Sequence, residues 1–123
     1  MHHEIDAFPD HSFKGAWSCA AFLTHTPHEW VEPTLAQIAR ILAPGGIFAV
    51  SYAQRQPGQG YDYLKLSSTG RIKYFSHPKT AEIVELARRH GLALERETVN
   101  DYVEASGTVV KDLFVSQFFR KEA

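Results

Sequence analysis

Two short runs of apolar residues with one helix between them constrain the fold of this chain most. Residues 13–23 carry a single charge, on Lys14, and residues 47–50 are apolar without interruption. Runs of this kind are typical of strands covered on both faces, as in a parallel sheet. We expect strands at Gly15–Ala20 and Ile47–Val50. A helix joining them makes a βαβ unit, whose crossover is right-handed in nearly all proteins, so the chain belongs to the α/β class.

The connecting helix has a start signal, an internal proline and an apolar stripe. The sequence Thr26-Pro27-His28-Glu29 has the hydroxyl, proline and glutamate spacing of a capping box. A proline inside a helix removes one backbone hydrogen bond and costs about 3 kcal/mol, so we expect one short turn and then the main helix from Pro33. Pro44-Gly45-Gly46 ends that helix. Its buried stripe has helical spacing and comprises Val31, Leu35, Ile38 and Leu42.

A long loop and a second helix follow. Residues 53–75 are rich in proline, glycine and serine, which indicates a loop with a short extended piece at Tyr61–Leu66. The second helix begins at Ser76-His77-Pro78 and is closed by Gly91. Its predicted buried face comprises Ile83, Val84, Leu86 and Ala87.

The chain ends in two predicted strands, Leu92–Val99 and Lys111–Phe119. The polar stretch between them is too short for a crossover helix, so the two strands should pair antiparallel. Three aromatic residues of the last strand are core candidates: Phe114, Phe118 and Phe119.

Composition and charge argue against several classes of protein. The chain has 123 residues, 44% of them hydrophobic and 22% charged, which is ordinary for a globular protein and atypical of disorder, collagen or coiled coil. A net charge of −1 provides no field for nucleic acid or an anionic membrane surface, so we expect neither partner. The single cysteine cannot form an internal disulfide, and no apolar run approaches the ~20 residues of a membrane span. We expect one soluble, cytoplasmic domain over residues 1–123.

Three motifs resemble those of a known family. Residues 8–13, Phe-Pro-Asp-His-Ser-Phe, resemble the entry to its fourth strand, and residues 23–27 resemble the exit from that strand. Residues 42–46, Leu-Ala-Pro-Gly-Gly, resemble the turn into its fifth strand. On these residues the chain is similar to the class I S-adenosylmethionine-dependent methyltransferases over nearly its whole length. It departs from the family at Lys14, where an aspartate is usual.

The resemblance implies an α/β fold with an incomplete doubly wound, Rossmann-like sheet of about four strands, the last one antiparallel, and helices on its faces. It implies S-adenosylmethionine as the cofactor. The glycine-rich turn and the acidic residue that hold this cofactor in the family have no counterpart, because Met1 corresponds to a position after both. With βαβ units of about 30 residues, the segment that carries them amounts to roughly 90 residues. We therefore expect this chain by itself to bind the cofactor poorly.

The resemblance also assigns candidate site residues. Ser18, Cys19 and Ala20 correspond to positions that border the methionine portion of the cofactor, at the carboxyl end of a strand where open α/β sheets bind ligands. Close packing under a helix is equally compatible with three small side chains. His25 corresponds to a position near the transferred methyl group, where an imidazole can take a proton from the substrate. The alternative for His25 is structural, as a residue that bonds the backbone at the helix entry.

Other groups of side chains point to ligands more weakly. His2-His3-Glu4 has metal-ligating residue types, but adjacent histidines at a chain end lack fixed geometry, so we expect no metal site. Cys19 has no neighbouring base that would make it a nucleophile, which favours a small buried side chain. The aromatic residues in and after the long loop are Tyr61, Tyr63, Tyr74 and Phe75. They either cover a substrate or pack over an exposed sheet edge.

Three functions are compatible with these patterns. The leading one is a truncated or split S-adenosylmethionine-dependent methyltransferase that acts on a small molecule. The second is a non-catalytic remnant or module whose strand edge pairs with a second copy, or with a separate polypeptide that supplies the front half. The first strand, interior in the complete sheet, would otherwise have one unpaired side. The third is an unrelated α/β ligand-binding module, which requires a pocket enclosed by the long loop and the strand ends.

Overall fold

A four-stranded sheet forms the centre of the molecule. The computed structural model describes residues 7–19, 22–66 and 69–122. The elements in chain order are β1 (Phe13–Cys19), a 3-10 turn (Phe22–Thr24), α1 (His28–Ile41), β2 (Leu42–Ala53), β3 (Asp62–Leu66), β4 (Ile72–Ser76), α2 (Thr80–Arg89), β5 (Leu92–Val103) and β6 (Val109–Lys121). The sheet order is β1-β2-β6-β5. β1 and β2 are parallel, and β6 is antiparallel to both of its neighbours. This confirms the predicted incomplete α/β sheet with an antiparallel last strand.

β1 and β2 are neighbouring parallel strands, as predicted. Ala16 pairs with Phe48, and Trp17 pairs with Ala49. β2 extends beyond the predicted Ile47–Val50 because it includes the glycine turn, where the register with β1 shifts. In that turn a Cβ on Gly46 would lie 2.8 Å from the carbonyl oxygen of Ala43, so only glycine fits there.

Helix α1 differs from its prediction at both ends. It is one continuous helix that contains Pro33, so the expected break into a short turn and a main helix is wrong. Each of three buried aliphatic side chains on this helix contributes roughly 1.5–3 kcal/mol, so together they outweigh the ~3 kcal/mol cost of one internal proline. They are Val31, Leu35 and Ile38. Leu42, the fourth residue of the predicted stripe, is buried but begins β2.

The predicted capping box is also wrong. The N-cap of α1 is Pro27, and no side chain caps the helix. The hydroxyl of Thr26 donates instead to the carbonyl oxygen of Phe22. Thr26 therefore closes the 3-10 turn that precedes the helix.

The predicted long loop contains a β-hairpin. Its extended piece is confirmed as β3, whereas β4 was predicted as loop because its residues follow a cluster of serine and glycine. The two strands pair antiparallel, with Tyr63 opposite Phe75. Helix α2 begins at Thr80, four residues after the predicted start, and Gly91 closes it with φ of 78°. The two final strands are confirmed, and both are longer than predicted.

The hydrophobic core lies on one face of the sheet, beneath α1, α2 and the 3-10 turn. Alternate residues of β2 and β6 enter it: Phe48, Val50, Tyr52, Val115, Gln117 and Phe119. Phe119 is a core residue as predicted, but Phe114 and Phe118 alternate with it and are only half-buried. The prediction that β1 is covered on both faces is wrong, because Trp17 is 76% exposed.

Candidate functional site

The loops that follow β1 and β2 lie at the same edge of the sheet. The two strands are parallel, so their carboxyl ends coincide, with Ser18 beside Val50 and Cys19 beside Ser51. Ligands of open α/β sheets bind beyond this edge. The candidate site is therefore built from the end of β1, the 3-10 turn after it and the hairpin that follows β2.

Ser18 fixes the first turn of this site. Its side chain is buried, and its Oγ accepts a hydrogen bond from the backbone N–H of Phe22 at 3.0 Å. The backbone of Cys19 ends β1 at the predicted place, and Ala20 lies outside the described residues. The structure thus brings Ser18 and Cys19 to the ligand-binding edge, with the hydroxyl of Ser18 engaged within the fold.

His25 is exposed and held by the hairpin. Its Nδ1–H donates to the carbonyl oxygen of Tyr74 at 2.8 Å, since a carbonyl can only accept. The imidazole also contacts the ring of Phe75, with centroids 4.9 Å apart. A neutral imidazole that donates through Nδ1 carries its lone pair on Nε2. The hydrogen bond to the backbone of Tyr74 is of the kind that the structural alternative for His25 predicts. The same arrangement leaves the lone pair on Nε2 suited to accept a proton.

Two further hydrogen bonds connect the hairpin to the loop after β1. The hydroxyl of Tyr61 donates to the carbonyl oxygen of Thr26 at 2.8 Å. The buried hydroxyl of Ser76 donates to the carbonyl oxygen of Leu23 at 2.9 Å. Together with the His25–Tyr74 bond they form what we term the hairpin latch. Sequence reasoning missed Ser76 here, because no local pattern relates residues 53 positions apart.

The aromatic residues of the hairpin pack on one another. Tyr63 is stacked against Phe75 at 5.3 Å and against His77 at 5.0 Å between centroids. Tyr61 lies edge-on to His28, and the Arg55 guanidinium lies 5.6 Å from its ring centroid. These contacts hold the aromatic side chains of the hairpin against one another and against His28 and Arg55.

The electrostatic environment keeps the hairpin's phenols and one imidazole neutral. Burial raises the pKa of Tyr74, and its hydrogen bond to the Asp62 carboxylate raises it further. Burial also raises the pKa of Tyr61 and lowers the pKa of His77. The Nδ1 atom of His77 is buried without a hydrogen-bond partner within the described part of the chain. These groups are therefore poor proton acceptors near neutral pH.

Two surface cavities lie away from the predicted residues. A cavity of about 350 Å³ is lined by Lys79 and residues of the loop after β2, without either strand end. A cleft of about 670 Å³ separates α1 from α2. The ionisable residues that line the cleft are His28, Glu29, Glu32, Glu82, Glu85, Arg89 and His90. Neither cavity is lined by Ser18 or His25. Neither is therefore the pocket at the strand ends that an unrelated α/β ligand-binding module requires.

The described residues contain neither a grouped set of metal ligands nor a membrane-spanning helix. Within them no three histidine, cysteine or carboxylate side chains are grouped so that they could hold a metal ion. The predicted weak candidate His2-His3-Glu4 lies outside them. No helix in residues 7–19, 22–66 or 69–122 has the length and hydropathy needed to cross a bilayer.

Comparison with known proteins identifies the fold. No protein-family model and no curated protein matches the sequence. Among solved structures, the chain is similar to an S-adenosylmethionine-dependent methyltransferase from Methanosarcina mazei, with a TM-score of 0.76 at 19% identity, over 94% of this chain and 62% of that chain.

Two further structures show the range of proteins with this fold. The 1,6-didemethyltoxoflavin-N1-methyltransferase of Burkholderia thailandensis, solved with 1,6-didemethyltoxoflavin and S-adenosylhomocysteine, matches with a TM-score of 0.66 at 18% identity, over 97% of this chain and 48% of that chain. The [4+2]-cyclase SpnF matches with a TM-score of 0.63 at 16% identity, over 95% of this chain and 52% of that chain. The chain therefore spans about half to three fifths of the length of these proteins.

Proposed function

We propose that this chain, which has the class I S-adenosylmethionine-dependent methyltransferase fold along its described length, contributes to methyl transfer onto a small molecule. The observation that carries the proposal is the sheet: a parallel β1–β2 pair, followed by an antiparallel last strand inserted between β2 and β5. The same arrangement supports a match to an S-adenosylmethionine-dependent methyltransferase at a TM-score of 0.76. The loops at the carboxyl ends of β1 and β2 are the place where such a sheet binds its ligand.

The residues present fit one wall of a cofactor site. The end of β1 is uncharged, and the hydroxyl of Ser18 already accepts a hydrogen bond from the N–H of Phe22. This edge therefore offers a ligand mainly backbone groups and small side chains. We assign Ser18, Cys19 and Ala20 to the methionine portion of S-adenosylmethionine. When bound, the cofactor supplies an electrophilic methyl group. Polar partners for its other portions must come from residues outside this wall.

His25 is assigned to the acceptor rather than to the cofactor. Tyr74 fixes the ring through Nδ1–H, so Nε2 is oriented by the hairpin and can take the proton of an acceptor hydroxyl or amine. Methyl transfer depends mostly on holding the nucleophile in line with the methyl group. The hairpin latch therefore helps to position His25 beside the acceptor, and this one base is sufficient for the proton transfer.

A non-catalytic role is the second candidate. It is favoured by the same contacts, because both Ser18 and His25 have hydrogen bonds that serve the fold. A fold also does not determine its reaction, and one similar structure is named as a cyclase. The two candidates differ in whether the end of β1 contacts the cofactor.

A titration followed by ¹⁵N–¹H correlation spectra separates the candidates. Millimolar S-adenosylhomocysteine should shift amide signals of residues 18–25 and 51–55, while the turn at residues 43–46, at the opposite end of β2, serves as the internal control. A His25→Gln variant should keep these shifts, because His25 is assigned to the acceptor. Absence of shifts at residues 18–25, or shifts only at residues 43–46, contradicts the assignment of this edge to the cofactor in the chain by itself and favours the non-catalytic role.

A further inference from the structure

One face of the β3–β4 hairpin carries two lysines directly opposite each other. Lys65 of β3 pairs with Lys73 of β4, and both residues are exposed. Directly opposed residues of an antiparallel pair have Cβ atoms about 4.5–5.5 Å apart, where like charges destabilise the pairing. None of the ion pairs between described residues includes either lysine. The two ammonium groups therefore form a positive site without a counter-charge from that part of the chain.

The carboxylate of the hairpin strands lies on the other face. β3 and β4 contain one acidic residue, Asp62. Because side chains alternate along a strand, Asp62 lies on the face opposite Tyr63 and Lys65. There it accepts a hydrogen bond from the hydroxyl of Tyr74 at 2.9 Å. The strands that carry the two lysines thus do not neutralise them.

Two aromatic rings adjoin the lysines on the same face. Tyr63 and Phe75 are directly paired, two positions along the strands from Lys65 and Lys73. Their rings are stacked at 5.3 Å between centroids, and Tyr63 is 41% exposed. An aromatic surface open to solvent therefore lies beside the positive site. We term the face formed by these four residues the lysine–aromatic face.

The lysine–aromatic face adjoins the candidate base. The imidazole of His25 lies 4.9 Å from the ring of Phe75 between centroids, and its Nδ1 bond to Tyr74 fixes it beside β4. The strand rise separates Phe75 from Lys73 by about 7 Å, which is close to the length of one substituted aromatic ring. A molecule of that size can reach Nε2 of His25 with one end and the lysines with the other.

We propose that the acceptor bound by this site is an aromatic acid, a planar ring that carries a hydroxyl or amine at one end and a carboxylate at the other. The ring packs against Tyr63 and Phe75, where aromatic pairs favour offset or edge-on contacts. The carboxylate lies between Lys65 and Lys73 and accepts charge-assisted hydrogen bonds from both. This inference rests on the proposed function, because it names the acceptor class of the same site.

Other occupants use only part of this face. A neutral aromatic compound leaves the repulsion between Lys65 and Lys73 unrelieved. An anion without a ring leaves the exposed surface of Tyr63 uncovered. A nucleic acid is disfavoured by the net charge of −1, because affinity for a polyanion depends on many positive charges. An aromatic acid satisfies the lysines and the rings together.

The test compares probes that differ in charge or in the ring. 4-Hydroxybenzoate is the anionic aromatic probe, 4-hydroxybenzamide is its neutral analogue, and inorganic phosphate is the anion without a ring. Each is titrated into the whole chain at low ionic strength and followed by ¹⁵N–¹H correlation spectra. 4-Hydroxybenzoate should shift amide signals of residues 62–66 and 72–76 and bind at least about tenfold more tightly than either other probe. Nuclear Overhauser effects from its ring protons to the imidazole of His25 should place its hydroxyl end at the base.

Substitutions of single lysines test the positive site. Lys65→Gln and Lys73→Gln should each weaken 4-hydroxybenzoate binding about five- to tenfold and leave the affinity for 4-hydroxybenzamide unchanged. Each also removes a like-charge repulsion, so the midpoint of thermal unfolding should not fall, which separates lost binding from lost folding. Lys14→Gln is the matched control, because Lys14 is an exposed lysine near the start of β1, away from the ligand-binding edge, and it should change neither affinity.

Four results overturn the proposal. Equal affinity for the acid and the amide would mean that the lysines do not select charge. Phosphate binding as tight as that of the acid would mean that the rings do not contribute. Acid binding without contacts to His25 would place the compound away from the base, and no hairpin shifts at millimolar acid would mean that the face binds no such molecule.

The S-adenosylhomocysteine titration at residues 18–25 keeps this inference distinct from the proposed function. Shifts there without binding of 4-hydroxybenzoate would remove the aromatic-acid acceptor and leave the cofactor assignment in place. Binding of 4-hydroxybenzoate without those shifts would leave an aromatic-acid site and remove its assignment to a methyl acceptor.

Discussion

The two faces of the central sheet are built from the same strands but differ in how far their side chains are buried. On the covered face, Phe48 and Phe119 are stacked at 6.2 Å between centroids and are almost inaccessible to solvent. On the opposite face, which includes Trp17 and which we term the open face, their neighbours Ala49 and Phe118 are only half-buried. Because side chains alternate along a strand, one apolar run supplies both faces. The comparison teaches that the covered face provides most of the buried apolar area, whereas the opposite face leaves its side chains partly exposed.

The largest expected effect comes from adjacent phenylalanines on opposite faces. Phe119→Ala should lower the free energy of unfolding by about 3–5 kcal/mol, because it leaves a cavity in the core. Phe118→Ala is the matched control and should cost about 1 kcal/mol, because its ring is only partly buried and lies outside the core cluster. Urea denaturation monitored by circular dichroism measures both. Equal losses for the two variants would refute the distinction between the faces.

An intermediate effect is expected from the polar network on the covered face. The buried hydroxyl of Tyr52 donates to Oε1 of Gln117 at 2.6 Å, and Nε2 of Gln117 donates to Glu97 at 2.8 Å. Tyr52→Phe leaves Oε1 of Gln117 buried without its donor, which should cost about 1–3 kcal/mol at neutral pH. A loss below that range by urea denaturation would mean that water or a rearranged Gln117 replaces the hydroxyl.

The same tyrosine makes stability depend on alkaline pH. Burial, and then the nearby Glu97 charge, raise the pKa of Tyr52 above its ordinary value near 10.0. The folded state therefore retains a proton that the unfolded state releases, so this contribution is intact below pH 10 and is lost as pH rises. The loss should approach about 1.4 kcal/mol per pH unit for one such group. Tyr52→Phe should reduce the slope without abolishing it, because burial also raises the pKa of Tyr61 and Tyr74.

Much of the fold could be predicted because its signals are local. The apolar run of β2 and the glycines after α1 and α2 specify elements through residues adjacent in sequence. Local signals were not sufficient at β1. An apolar strand has the sequence pattern of a strand covered on both faces whether or not a second layer of structure covers it. The expected break at Pro33 was wrong for a similar reason. The packing of α1 on the sheet stabilises the helix by more than the proline destabilises it, and this packing involves residues distant in sequence.

The candidate site was predicted only in part. The resemblance located Ser18 and His25 at the ligand-binding edge, and the structure places both there. The hairpin latch could not be predicted, because Tyr61 and Ser76 reach partners 35 and 53 residues away in sequence. The roles of Ser18, Cys19, Ala20 and His25 in cofactor and acceptor binding stay predictions that the titration above addresses.

The smallest effect on stability is expected from the most exposed aromatic residue of the sheet. Trp17→Ser should change the free energy of unfolding of the isolated chain by no more than about 0.5 kcal/mol, because the indole loses little burial on truncation. Phe22→Ser is the comparison in the turn after β1, where the ring is 3% exposed and the loss should reach about 3 kcal/mol. Thermal and urea unfolding measure both variants. A Trp17→Ser loss as large as that of Phe22→Ser would mean that the indole is packed in solution, and the contrast between the two faces would then fail at β1.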